Sequence, residues 1–423
     1  MARIKRLPQL LALTIFAMAL SAFVLKESPA SALRETAGGD WPQWRGPNRD
    51  GISTETGLLK TWPASGPKVL WRAASGEGYA GISVANGRAY TMYSDGSQEV
   101  VVCLDAGTGK ELWRYKASPA FRNDQGDGTR STPTVDGDLV FTLSANGMLT
   151  ALNAATGAKV WQHQIRDEFG GRVPTWGIST TPLVEGEKLI VDVGGKSGHS
   201  VIAFNKKNGS IIWKSETDIP GYSAPIAVNV NGVRQILIFT GSGLASFSPA
   251  NGKRFWHFPW ETSYDVNAAT PVFIAPDKVF ISSGYGVGGA LLQISGSNGS
   301  SSVNQIWKSR EMKNHFSSSI LYQNHLYGFD DAFLTCLDVA TGKPKWQQRG
   351  FQKGSLLFAD GHLIVLGERG LLALVEASPE GYKEKAQFQV LQGKCWTMPT
   401  LANGKLYVRN QREMLCLEVA GKM

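Results

Sequence analysis

Apolar and polar residues alternate along this chain in short runs, and each run stops at a turn-forming pair such as Asp-Gly, Asn-Gly or Thr-Gly. A period of two puts successive side chains on opposite faces of a strand, so the runs predict β-strands joined by tight hairpins. Two hairpin signals take turns. The first is a small-residue strand, a turn and a β-rich strand, as in Ser131-Thr-Pro-Thr-Val-Asp-Gly-Asp-Leu-Val-Phe and Thr397-Met-Pro-Thr-Leu-Ala-Asn-Gly-Lys-Leu-Tyr. It starts again at Gly81, Ser179, Ser223, Ala268, Ser317 and Gly354.

The second signal is an eleven-residue unit of the form A-x-D-x-x-T-G-K-x-x-W, with copies at Cys103 to Trp113, Ala151 to Trp161, Ala203 to Trp213, Ser246 to Trp256 and Cys336 to Trp346. Trp307 ends a copy stretched by a loop from Ser295 to Asn304, and Phe388 ends a degenerate copy that begins near Ala373. The Asp or Asn and the T-G-K supply the turn, with Gly in a conformation that other residues avoid. The second strand then carries the Trp, whose ring packs on the neighbouring unit. The first position must be small, which accounts for Cys103, Cys336 and Cys416 as buried fillers like Ala151.

Together the two signals give four strands per repeat. The third strand recurs at Leu104, Leu152, Phe204, Phe247, Gln293, Leu337, Leu374 and Leu417, in steps of 37 to 52 residues. That spacing predicts an all-β fold, an eight-bladed β-propeller. The last copy stops at Cys416-Leu-Glu-Val without a Trp strand, while Lys68-Val-Leu-Trp71-Arg stands alone before the first blade. The N-terminal strand is therefore expected to complete the last blade and close the ring. The domain plan is a leader over 1–32, an irregular strap over 33–66 that contains Trp41-Pro-Gln-Trp44-Arg-Gly-Pro-Asn-Arg-Asp-Gly51, and a propeller over 67–423.

Composition narrows the function. Arg3, Lys5 and Arg6 precede an apolar run from Leu10 to Leu25 and a small-x-small site at Ala30-Ser31-Ala32, the form of a cleaved signal peptide. The expected location is periplasmic or secreted. No lipobox cysteine follows the run, so neither a lipid anchor nor membrane insertion of the mature chain is expected. The net charge of +8 falls to about +5 without the leader and is scattered, which argues against nucleic-acid binding. A monomer is expected.

The A-x-D-x-x-T-G-K-x-x-W unit resembles the tryptophan-docking motif of the PQQ-type propellers. That superfamily holds quinoprotein alcohol dehydrogenases and the lipoprotein propeller of the outer-membrane β-barrel assembly machinery. The opening at Trp41 is similar to that of exported PQQ-binding-like propeller proteins. The resemblance implies, for an active quinoprotein, PQQ (pyrroloquinoline quinone) with calcium. On it Trp176-Gly is similar to the segment carrying the stacking ring, and Glu261-Thr-Ser-Tyr-Asp265-Val-Asn267 to the one carrying a catalytic aspartate. The chain departs from those enzymes in having no adjacent cysteine pair, no heme-binding Cys-x-x-Cys-His and no room for their long loops.

In a propeller the residue before each first strand sits at the channel mouth. Those positions are Tyr79, Arg130, Trp176, Tyr222, Asn267, His315, Lys353 and Trp396. Rings, cations and an amide converging there suit a flat, anionic ligand: a Trp stacks on it, Arg130 and Lys353 pair its carboxylates, and Asn267 and His315 bond its edge. PQQ, an acidic sugar or an aromatic side chain of an envelope protein would all fit. Asp265 is the single candidate base near the mouth, and no metal-ligand spacing surrounds His315. Gly284-Tyr-Gly-Val-Gly-Gly289 falls between strands and reads as hairpin glycine rather than a phosphate loop. Two functions stay open: a non-catalytic binding module and a divergent PQQ-dependent alcohol or sugar dehydrogenase.

Overall fold

The computed structural model describes the first two residues and residues 39–297 and 300–421; most of the predicted leader, from residue 3 onward, lies outside the described residues. Eight four-stranded antiparallel sheets follow one another as blades over residues 83–119, 134–164, 183–215, 226–259, 272–309, 320–348, 354–389 and 400–418. The first strands of blades eight, one, two and three lie side by side, as do those of blades five, six and seven. The eighth sheet has three strands from the C-terminal end, and its outermost strand is β1 (Val69–Ala74), with Trp71 opposite Cys416. The ring is thus closed by the N-terminal strand. The predicted loop from Ser295 to Asn304 instead continues the ladder: strands Gly288–Ser297 and Ser300–Ser309 pair along their whole length. Its Ser-rich sequence hid a period of two, because serine marks neither face.

The repeat unit is explained by what its residues touch. Asp105 Oδ1 accepts bonds from Gly107 N, Thr108 N and the Thr108 hydroxyl, which fixes the turn. Gly157 of the second blade has φ +72°, and a Cβ there would stand 2.6 Å from the Trp113 ring of the first blade. The indole therefore lies flat on a glycine of the next blade. Its N–H donates to Ala154 O of that blade at 3.1 Å. Trp71 makes the same joint from blade eight to blade one, over Gly109 and to Ala106 O. Across its own hairpin each ring faces the small residue: Trp113 opposite Cys103, Trp161 opposite Ala151, Trp346 opposite Cys336. All four cysteines are free and buried. The apolar cores lie between blades, as where Phe141, Leu149 and Trp161 meet Leu189, Val191 and Phe204. Truncating one such ring costs roughly 3–5 kcal/mol.

The segment before β1 turns the ring into a cup. Trp41 pairs with Val84, Pro42 O accepts from Val135 N, Gly51 O from Phe358 N, and Gly39 O from Asn403 N. Arg49, 3% exposed, donates to the carbonyls of Thr181, Pro182 and Pro225. Arg45, 2% exposed, reaches Ser319 O at 2.7 Å, and Trp44 Nε1 donates to Thr270 Oγ1 at 3.0 Å. Residues 39–51 thereby bond to the inner strand of every blade or to residues flanking it. Burial pushes the Arg49 guanidinium down to about 9 and Arg45 to about 10, so both stay charged at neutral pH. Carbonyl dipoles stand in for the water these cations lost.

Candidate ligand cavity at the channel mouth

Opposite that segment the mouth holds a cavity of about 450 Å³, with Trp44 as its floor. Tyr79, Arg130, Trp176, Tyr222, His315, Lys353 and Trp396 all line it, seven of the eight mouth positions read from the sequence. Each stands one to seven residues ahead of a three- to six-residue first strand, so the ring geometry brings them to one space.

Asn267 is the exception. It is fully buried, its amide donates to Thr240 O at 2.8 Å and Trp260 O at 3.1 Å, and its Oδ1 accepts from Ser283. Its neighbours Val266 and Ala268 reach the cavity in its place. The Thr262 hydroxyl also donates to Oδ1 at 3.4 Å, so both donors and both acceptor sites of the amide are spent within the protein. Asp265 sits in a short 3-10 turn, Ser263–Asp265, and does not line the cavity.

The two cations differ. Arg130 gives Nε to Trp176 O at 2.7 Å and its two other nitrogens to Gly128 O and Gly126 O, and it stacks over Phe121 at 4.9 Å. It organises the loop 120–130, and burial lowers its pKa. Among the described residues Lys353 has neither an ion pair nor a hydrogen bond. It is half-buried on the cavity wall, which makes it the charge available to a ligand.

Aromatic faces form most of the wall. Trp396 stacks on Phe316 at 4.9 Å and lies 5.4 Å from Tyr79, with its indole N–H held by Glu368 at 2.9 Å. Across the cavity Trp176 is nearly parallel to Tyr285, at 16° and 6.5 Å. His315 stands between the two sides, 4.9 Å from Tyr285 and 6.4 Å from Trp396. Burial, reinforced by nearby Lys353, pushes its imidazole down to about 4, so the ring is neutral; its Nδ1 is buried and has no partner among the described residues. Lys394 Nζ lies 4.3 Å over Trp396 and bonds Gln125 O at 2.9 Å. Burial pushes the Tyr79 and Tyr222 hydroxyls up to about 12, so both remain neutral donors.

Sequence reasoning missed Trp44, Gln125, Phe316 and Tyr285. Tyr285 carried a usable signal: a large ring between two hairpin glycines has no packing reason to be there.

The closed ring, its glycine-seated tryptophans and the cavity at its mouth define an eight-bladed β-propeller. The profile of the family described as "Outer membrane protein assembly factor BamB" matches residues 59–175 and 169–348, and the chain belongs to this family of PQQ-like propellers. Over 130 residues it is 35% identical to "Quinoprotein alcohol dehydrogenase PedH" of Pseudomonas putida, which is 30% of this chain and 21% of that protein. Over 119 residues it is 33% identical to "Outer membrane protein assembly factor BamB" of Xanthomonas campestris pv. campestris, 26% of this chain and 29% of that protein. The matched stretch thus spans less than a third of either relative. The crystal structure of BamB from Moraxella catarrhalis superposes with a TM-score of 0.60 at 15% identity, over 82% of this chain and 100% of that one, a likeness of fold.

PQQ with calcium, the cofactor that the quinoprotein relatives bring to mind, meets a divided site. The cavity fits a planar carboxylate: two indole faces, an unpaired Lys353 and a neutral His315 surround it. It does not fit the cation. Among the described residues no group of three or more His, Cys, Asp and Glu side chains is placed to hold a metal, and the Asn267 oxygen is already occupied. No helix of the described residues is long and apolar enough to cross a membrane.

Proposed function

We propose that this chain is an exported, non-catalytic binding module that takes a flat, anionic small ligand in its mouth cavity. The observation that carries this reading is Lys353, a cation without a partner among the described residues, on the wall of a cavity lined by Trp176, Trp396 and Trp44. A buried-edge cation gains most from an ion that arrives already flat and able to shed water against ring faces. The cavity volume suits a small molecule. Export rests on the leader residues and on the family's printed description as an outer membrane assembly factor.

The second reading, a PQQ-dependent dehydrogenase, draws support from the PedH match and from Trp176-Gly177. It requires a calcium site and a base at the cavity, whereas Asn267 and Asp265 do not line it. A thermal-shift series with PQQ, calcium and both separates the two. The binding module predicts a rise in melting temperature with PQQ alone, growing with ligand concentration. A rise that needs calcium, together with dye reduction when an alcohol or sugar is added, would give the dehydrogenase.

A further inference from the structure

The aromatic surface continues past the edge of the cavity. Tyr264 and Tyr285, 67% and 45% exposed, stand together at the lip, outside any apolar core. Both have left-handed backbone, φ 62° and 55°, where bulky residues are rare. Strain kept at an exposed site points to a use for the side chains rather than for packing. Tyr264 meets Trp176 edge-on at 5.6 Å, Trp176 runs nearly parallel to Tyr285, and Tyr285 leads to His315 at 4.9 Å. The result is a track of ring faces from the solvent-exposed lip inward, ending near Lys353, whose charge is felt by His315.

A pyranose has a face of C–H groups and a rim of hydroxyls. Aromatic faces take the first, and tyrosine hydroxyls and Gln125 on the cavity wall suit the second. Several faces in succession suit a chain of such rings better than a single compact ligand. A protein segment also favours Tyr and Trp, but it brings backbone N–H and C=O groups that need partners, and this lip offers ring faces instead of an open strand edge.

We propose that the mouth and lip together bind an acidic oligosaccharide, with a uronic-acid carboxylate at Lys353 and the following sugars laid over Trp176, Tyr285 and Tyr264. This rests on the cavity reading above and names its ligand class. The test is calorimetric titration of the full mature chain with a hexauronate, its monosaccharide, a neutral hexasaccharide and PQQ. The expected pattern is hexauronate binding that PQQ displaces, no comparable binding of the neutral chain, and about tenfold weaker hexauronate binding in the Tyr264→Ala/Tyr285→Ala variant. An unchanged melting temperature shows that this variant is folded, and the Tyr264→Ala single variant, whose ring stands outside the cavity lining, should keep its PQQ binding. If PQQ binds and hexauronate does not, or if the neutral chain binds equally, or if the double variant loses nothing, the glycan assignment is overturned while the cavity reading stands. If a purified envelope protein binds in a way that PQQ displaces and hexauronate does not, the lip is a protein site and the assignment falls. If neither PQQ nor uronate binds, the cavity reading itself fails.

Discussion

Replacing Gly157 by Ala tests the joint that repeats around the ring. The residue has φ +72°, and a Cβ would come within 2.6 Å of Trp113 Cε3 and 2.7 Å of its Cδ2. Two costs add. A left-handed alanine costs about 1–2 kcal/mol, and forcing a methyl into a packed contact costs about 1–3 kcal/mol more. Gly186→Ala is the control, because it has φ +59° with nothing within 4 Å of the added methyl and so bears the first cost alone. Urea denaturation followed by far-ultraviolet circular dichroism should therefore show Gly157→Ala less stable than Gly186→Ala by about 1–3 kcal/mol. Adding Trp113→Ala to Gly157→Ala should cost less than the sum of the single changes, because the clash vanishes with the ring. If the two glycine variants have equal midpoints, or if the double change is strictly additive, the ring-on-glycine joint is not what ties one blade to the next.

Three further outcomes follow from the described contacts. Burial pushes the Glu99 carboxyl up to about 7, with Ala145 N as its backbone donor. A raised folded pKa means that the folded state holds the proton longer, so this contribution is complete below about 4.5 and is lost as pH rises through 7. Glu99→Gln should leave the melting temperature at pH 4 near that of the parent and raise stability at pH 8 by about 3 kcal/mol, and an equal effect at both pH values would contradict it. Arg49→Met should cost about 3 kcal/mol or more, since three carbonyls just ahead of the inner strands lose their donor at once. Lys353→Ala should leave the melting temperature unchanged, because no protein group pairs with it among the described residues, and should weaken PQQ binding about tenfold as a charged partner is lost.

The fold was legible in the sequence because its packing rule is local. Small residue, Asp turn, Gly and Trp lie within eleven residues, so each copy announces both its hairpin and the face it shows to the next blade. The stray strand at Trp71 was readable for the same reason, since a blade lacked the strand that stood unclaimed. Much of the cavity was legible too: position before a first strand is a property of the repeat, and seven of those eight residues share one space. What each of them does there was not legible. Arg130 and Asn267 have the right chemistry for a ligand, but their bonds go to backbone carbonyls brought close only by loop geometry. Trp44 becomes the floor through a long-range contact with Thr270, 226 residues away, which no local pattern encodes. Tyr264 lay in a turn, where an aromatic ring has no period to betray it, and Tyr285 was marked only by the glycines on either side of it.

The central claim, that the mouth holds a flat anion without a metal, is tested most directly by calorimetric titration of PQQ into the full mature chain, with calcium and with a chelator, for the parent, Lys353→Ala and Trp396→Ala. The account predicts the same affinity in both media and a loss in each variant. Binding that appears with calcium alone, or that is indifferent to both substitutions, would contradict it.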